Sequence, residues 1–152
     1  MIFGVLKDIK EGEYRVICTP MEVASIVGAG HTVLVEKDCG AKAGFPDEAY
    51  AKMGATVVET AKEMWERCDF LAKVKEIEPS EYGYLREGQM IYCCIHPAGH
   101  PEEVQAILDS KCIAITAEDS HRFGSPNCEA AGKQGALFGL ESMLTINGGK
   151  GK

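Results

Sequence analysis

Between Gln89 and Gly99 the chain reads QMIYCCIHPAG, and this stretch limits what the protein can fold into more tightly than any other. Met90 to Ile95 is an almost wholly apolar run. Gly88 stands in front of it, and Pro97 and Gly99 force the backbone to turn directly after His96. An apolar run of that length between turn residues reads as a buried strand. In open α/β sheets, ligands gather at the carboxyl ends of strands. His96 stands at such an end, and Arg15, Lys75 and Glu118 occupy comparable places after or at the end of other predicted strands.

The remaining segments alternate around this strand. Residues 2–6 are a short apolar run followed by the polar turn KDIKEGEYR. Thr19, Pro20 and Glu22 combine an N-cap, a proline at the first helical position and a capping box, so a helix starts there and ends at Gly28 and Gly30. Thr32–Glu36 reads as a strand, Pro46 to Met53 as a short helix and Ala55–Val58 as a strand. Thr60 with Glu63 opens another short helix through Trp65. Asp69 to Lys75 reads as a strand, Pro79 to Leu85 as a helical turn or two, and Pro101 opens a helix carrying Val104, Ile107 and Leu108. Cys112–Thr116 is a further strand, and Ser125-Pro126 opens a last helix to about Leu144. This alternation specifies an α/β fold, a mostly parallel sheet with helices on both faces, Rossmann-like or flavodoxin-like. The expected organisation is one domain over residues 1–124, a connecting helix over 125–146 and a glycine-rich tail over 147–152. Gly132, Gly135 and Gly139 lie at close-packing intervals on that last helix, which fits either approach by another helix or chain, or packing on its own sheet.

Composition narrows the function classes. A formal charge of −7 without a basic run argues against a nucleic-acid surface. No apolar stretch approaches the ~20 residues that a membrane span needs, and the start lacks the pattern of a signal peptide. Seven cysteines scattered through apolar segments fit reduced thiols better than a disulfide framework. A cytoplasmic location is expected.

Three kinds of chemistry can be weighed. Gly28-Ala29-Gly30 closes a helix and leads into a strand, the reverse of the order in which a dinucleotide loop presents helix amides to a pyrophosphate. Cys93, Cys94, His96 and His100 lack paired C-x-x-C spacing, and alternation sends Cys93 to the opposite face from Cys94, so no metal site is expected. Arg15, Lys75 and His96 make the coherent group. Arginine holds a carboxylate by two bonds, lysine polarises a carbonyl, and histidine moves a proton near neutral pH. Taken singly, each has a plainer reading, as a surface arginine, a snorkelling lysine or a loop-bonded histidine.

The order of these residues is familiar. The opening GVLKDIKEGEYRVICTPMEV, then AGHTVLVEKDCGAKAGFPDEAYAKMGA, then AKVKEIEPSEYGYLREGQMIYCCIHPAGHPE resemble the N-terminal region of the alanine dehydrogenase and pyridine-nucleotide transhydrogenase family, which extends to saccharopine-type and opine-type dehydrogenases. The resemblance continues through AITAEDS into SPNCEAAGKQGALFGLESMLTINGGKGK and so covers essentially the whole chain. It implies that Arg15 and Lys75 bind the carboxylate and oxo groups of a 2-oxo acid, that His96 transfers the proton, and that Glu118 lies beside the substrate. His96 favours the amino-acid dehydrogenase side over the transhydrogenase α-subunit. The implied reaction is reductive amination of a 2-oxo acid, or its reverse.

The resemblance also implies departures. Cys128 replaces a serine that family members carry near the cofactor, PAGHPE follows His96 in place of a Leu-Ala-Ala-type sequence, and the loop after Glu118 is short. A complete member continues into a glycine-rich domain that binds NAD or NADP. The chain is therefore expected to be the substrate-binding domain or subunit of such an enzyme, inactive alone. Its expected partners are a small 2-oxo or amino acid, an NAD-binding subunit and further copies in a homo- or hetero-oligomer. The alternatives are a binding or assembly module that has lost its chemistry, a domain like that of the transhydrogenase α-subunit, or one like that of saccharopine-type or opine-type dehydrogenases.

Overall fold

The computed structural model describes residues 1–118, 120 and 126–146. Six parallel strands form one sheet: β1 (Ile2–Val5), β2 (Thr32–Glu36), β3 (Thr56–Val58), β4 (Phe70–Ala72), β5 (Met90–Cys93) and β6 (Ile113–Thr116). Their spatial order is β3-β2-β1-β4-β5-β6. The chain therefore builds outward from β1 in one direction, then returns to place β4 on the other side of β1. In register, Gly4 pairs with Leu34 and with Leu71, and Ala72 pairs with Tyr92.

Strand alternation sorts the core onto the two faces of the sheet. Val33 and Val35 of β2 join Val5 in a cluster with Val23 and Tyr50, from helices α1 (Pro20–Gly28) and α2 (Asp47–Lys52). Leu34, between them in sequence, points the other way, with Leu71 and Ile91, into a cluster holding Met64 and Trp65 of α3 (Ala61–Arg67) and bordered by Ile107 of α4 (Pro101–Ser110). Helices thus cover both faces, and the fold is the α/β, Rossmann-like one expected. Tyr50 and Trp65 are fully enclosed, and Tyr50 donates its hydroxyl proton to the Cys18 carbonyl at 2.9 Å, which satisfies the polar end of a large apolar side chain.

The helix starts follow their caps. The Glu22 carboxylate accepts the Thr19 N–H at 2.8 Å, and the Thr60 hydroxyl accepts the Glu63 N–H at 3.3 Å. α1 closes at Gly28, and Gly30 turns at φ +87° into β2. The structure corrects several expected bounds. β4 stops at Ala72 instead of Lys75, and β5 stops at Cys93 instead of Ile95. The helix expected over Pro79 to Leu85 is a single 3₁₀ turn at Tyr82–Tyr84, and a second such turn, Ala41–Ala43, was not expected. The physical reason for the first correction is the divergence of β1. After the Leu6 N–H bonds the Ala72 carbonyl at 2.9 Å, the chain leaves the sheet, and β4 loses its neighbour on that side.

The chain divides into two compact units, Met1–Asp119 and Ser120–Lys152. The second contains helix α5 (Pro126–Ile146), where Leu137, Phe138 and Leu140 are exposed and a side chain added at Gly132, Gly135 or Gly139 would meet nothing within 4 Å. The start expected at Ser125 and the tail over 147–152 lie outside the described residues. No helix among the described residues is long and apolar enough to cross a membrane.

Candidate functional site

The sheet order places a topological switch between β1 and β4, where consecutive crossovers part to opposite sides and leave a crevice at the strands' carboxyl ends. The loops after β1 and β4 enter that crevice, and those after β5 and β6 lie beside it. Arg15 follows β1, Lys75 follows β4, His96 follows β5 and Glu118 follows β6. All four belong to the first compact unit.

Asp8 ties the first two loops together across the switch. Its Oδ2 accepts the Lys75 N–H at 2.7 Å, and its Oδ1 accepts the Lys10 N–H at 3.2 Å. Arg15 is held by Glu13: Nε donates to Oε1 at 2.8 Å and Nη2 to Oε2 at 2.6 Å, while the Arg15 N–H adds a third bond at 2.9 Å. The hydrogen bonds from Arg15 outweigh the burial of Glu13, and with the nearby Lys75 charge they lower its carboxyl from 4.5 to about 2. Arg15 therefore enters the site with one edge of its fork fixed and the rest of a half-exposed side chain facing outward. Lys75 makes no ion pair among the described residues, although its charge reaches Glu13.

His96 has a left-handed backbone, φ +48°, which is uncommon for a residue with a side chain. Two contacts hold it there. The Gly99 N–H closes a turn on the His96 carbonyl at 2.8 Å, and Glu118 accepts the His96 N–H at 2.5 Å and the Ile95 N–H at 3.3 Å. Oε1 of Glu118, which accepts the His96 N–H, lies 3.4 Å from Nδ1 of His96, whose side chain is 48% exposed. Burial works to raise the Glu118 carboxyl, but hydrogen bonds from its own backbone N–H and from those of His96 and Ile95, together with the imidazole, lower it overall. His96 and Glu118 line an open cavity of about 370 Å³ with Thr116 and the Pro97–Gly99 turn.

Cys94 joins the two halves. Its N–H bonds the Val74 carbonyl at 3.2 Å, next to Lys75, and its thiol lies within electrostatic reach of Glu118, Lys75 and Arg15. Burial raises that thiol above its ordinary value. Cys94, Glu13 and Asp8 were not among the site residues expected from sequence. The available signals were the two-residue spacing of Glu13 and Arg15 and the shared strand face of Cys94 and His96. Cys128 lies exposed on α5, in the second unit.

Chemically, the arrangement offers two cations for a carboxylate and a polarised oxygen, and a half-exposed imidazole backed by a carboxylate for proton movement. The connection between β1 and α1 does not offer a pyrophosphate cradle: Pro20 opens the helix without an N–H, and the Glu22 carboxylate occupies its cap.

The family described as "Alanine dehydrogenase/PNT, N-terminal domain" matches residues 4–126. The chain is 38% identical to the alanine dehydrogenase of Bacillus subtilis and 36% identical to that of Methanococcus maripaludis, in each case over 99% of its length. It spans about two fifths of those relatives, 41% and 42%. A solved L-alanine dehydrogenase superposes with a TM-score of 0.86 at 34% identity, covering 99% of this chain and 43% of that one. The transhydrogenase of Sinorhizobium meliloti superposes with a TM-score of 0.72 at 26% identity over 76% of this chain and 34% of its own. With its parallel sheet and a family match over residues 4–126, this chain belongs to the alanine dehydrogenase/PNT N-terminal domain family.

Proposed function

We propose that this domain binds the 2-oxo acid, or the corresponding amino acid, for an NAD(P)-dependent dehydrogenase of the alanine dehydrogenase type. The observation that carries the reading is the Asp8 bridge, which links the loop carrying Arg15 to Lys75 across the β1/β4 switch. Arg15 receives the substrate carboxylate on the edge that Glu13 leaves open. Lys75 stabilises negative charge at the reacting oxygen. His96, fixed by Glu118, exchanges the proton at that oxygen or at the amine. Cys94 lies within electrostatic reach of Lys75 and Arg15. Residues 1–124 form the substrate domain, 125–146 a connecting helix and 147–152 a tail. The nicotinamide is held by residues outside the substrate domain, with Cys128 at the edge of its site, and the assembly is a cytoplasmic oligomer.

The test is made in the enzyme assembled with its nucleotide-binding part. Pyruvate, ammonium and NADH should turn over, Arg15→Ala should raise KM for pyruvate, and His96→Asn should depress kcat more than KM. Normal turnover in His96→Asn contradicts the proton role.

A second reading, an assembly module without chemistry, is favoured by the exposed Leu137, Phe138 and Leu140 on α5. It predicts that the domain does not discriminate 2-oxo acids from plain carboxylates.

A further inference from the structure

Glu76 follows Lys75 in the chain, yet it lines neither the opening beside His96 nor the small pocket beside Arg15. It is only 4% exposed and lies behind them, in the wall of a cavity of about 460 Å³ that Lys10, Gly99 and His100 also line. Gly99 lines the His96 opening as well, so the turn carrying His96 borders both spaces. Oε1 of Glu76 meets the Lys10 ammonium, from the loop after β1, and stands 3.6 Å from Nε2 of His100, from the loop after β5. One buried carboxylate oxygen thus joins the loops that follow β1, β4 and β5.

Each contact leads to a residue of the acid site. The Lys10 carbonyl accepts the Glu13 N–H at 3.1 Å, and Glu13 holds the Arg15 fork. The Lys10 N–H bonds Asp8, whose other oxygen accepts the Lys75 N–H. His100 ends the turn that begins at the left-handed His96, and its carbonyl accepts the Val104 N–H at 3.2 Å to start α4. That turn is therefore held by Glu118 at its His96 end and faces Glu76 at its His100 end. Stability gives no reason for a carboxylate here. Oε2 of Glu76 is buried without a hydrogen-bond partner, and a buried charge so placed costs about as much in desolvation as its pairing returns. Lys10 and His100 are both partly exposed, so water can hydrate their charges if the carboxylate is removed. We propose, on the acid-binding reading above, that Glu76 is a positioning residue: it holds the loops of Arg15, Lys75 and His96 at fixed spacing without touching the substrate.

The test uses the enzyme assembled with its nucleotide-binding part. Glu76→Gln keeps the shape and removes the charge. Its kcat/KM for pyruvate should fall roughly tenfold, with KM raised and kcat lowered, while its denaturation midpoint does not fall. Two further variants cut the same ties at partly exposed residues. Lys10→Met should mainly raise KM, through the Arg15 and Lys75 loops, and His100→Asn should mainly lower kcat, through His96. Because both act through Glu76, adding either to Glu76→Gln should cause little further loss. Wild-type kcat and KM in Glu76→Gln, even with a lowered midpoint, would overturn the assignment, and so would losses that add in full. If Glu76→Gln does not fold, wild-type kinetics in both Lys10→Met and His100→Asn would overturn it instead. A parent enzyme that fails to turn over pyruvate, or an Arg15→Ala variant with unchanged KM, defeats the acid-binding reading and this assignment with it. A normal parent and a raised KM in Arg15→Ala, beside wild-type kinetics in Glu76→Gln, defeat the role of Glu76 alone.

Discussion

Glu118 and His96 are joined through the backbone as well as the side chain: one carboxylate oxygen accepts the His96 N–H at 2.5 Å and stands 3.4 Å from its Nδ1. The glutamate at the end of β6 thereby fixes both the left-handed turn and the neighbourhood of the imidazole after β5. If it acts as a clasp on that turn, Glu118→Ala should release the Ile95 and His96 amides. Their hydrogen-exchange protection should fall about tenfold, while protection of β1 and β2 stays unchanged. Unaltered protection at His96 would remove Glu118 from this role.

The fully buried Lys73 is paired with Glu81 at 2.5 Å, and Glu81 also accepts the Glu78 N–H at 2.8 Å. Glu81→Ala strands an ammonium inside the protein and should cost ~3–5 kcal/mol in chemical denaturation. Replacing both partners, Lys73→Met with Glu81→Leu, should recover most of that loss. A double variant as unstable as the single one would show that the pair acts through something other than its charges.

Gly4 sits where β1 passes closest to its neighbours. A methyl group there would lie 2.6 Å from both Cys68 Sγ and Leu71 Cδ2. Gly4→Ala should therefore destabilise the chain by ~1–3 kcal/mol through overpacking. The same change at Gly132 of α5, where nothing lies within 4 Å, should favour helix by ~1 kcal/mol. Equal effects at the two positions would contradict the packing described for β1.

The Glu13–Arg15 pair carries a pH signature. Because Arg15 lowers the Glu13 carboxyl from 4.5 to about 2, the unfolded chain takes up this proton first as the solution is acidified. The pair's contribution is complete above the ordinary carboxylate range and disappears as pH falls through the folded value. Stability curves of wild type and Glu13→Gln should thus stand apart above pH 4.5 and converge toward pH 2. A gap that is constant with pH would show that ionisation of Glu13 is not what stabilises the loop.

Local chemistry made much of the fold legible. TVLVE is a strand with the same limits in sequence and structure, and the Thr19, Pro20 and Glu22 signals start α1 where expected. The discrepancies arise where distant parts of the chain compete. β5 is apolar through Ile95, yet after Cys94 the backbone bonds Glu118 in preference to the ladder. Glu103 opens a helix, a place where glutamate ordinarily faces water, but here it is buried and accepts the Ile77 N–H. Within the site, the resemblance singles out the four strand-end residues, whereas it does not reach Asp8 and Glu13, which hold Lys75 and Arg15. Their roles depend on a bond spanning 67 residues and on a fork that only the folded loop closes.

Whether Arg15 and Lys75 form a site for a 2-oxo acid is decided by a pyruvate titration of the isotopically labelled chain followed by amide NMR. Saturable shifts are expected at Arg15, Lys75, Cys94 and His96, with weaker binding of acetate and loss of the response in Arg15→Ala. Equal binding of acetate and pyruvate, or an undiminished response in Arg15→Ala, would contradict it.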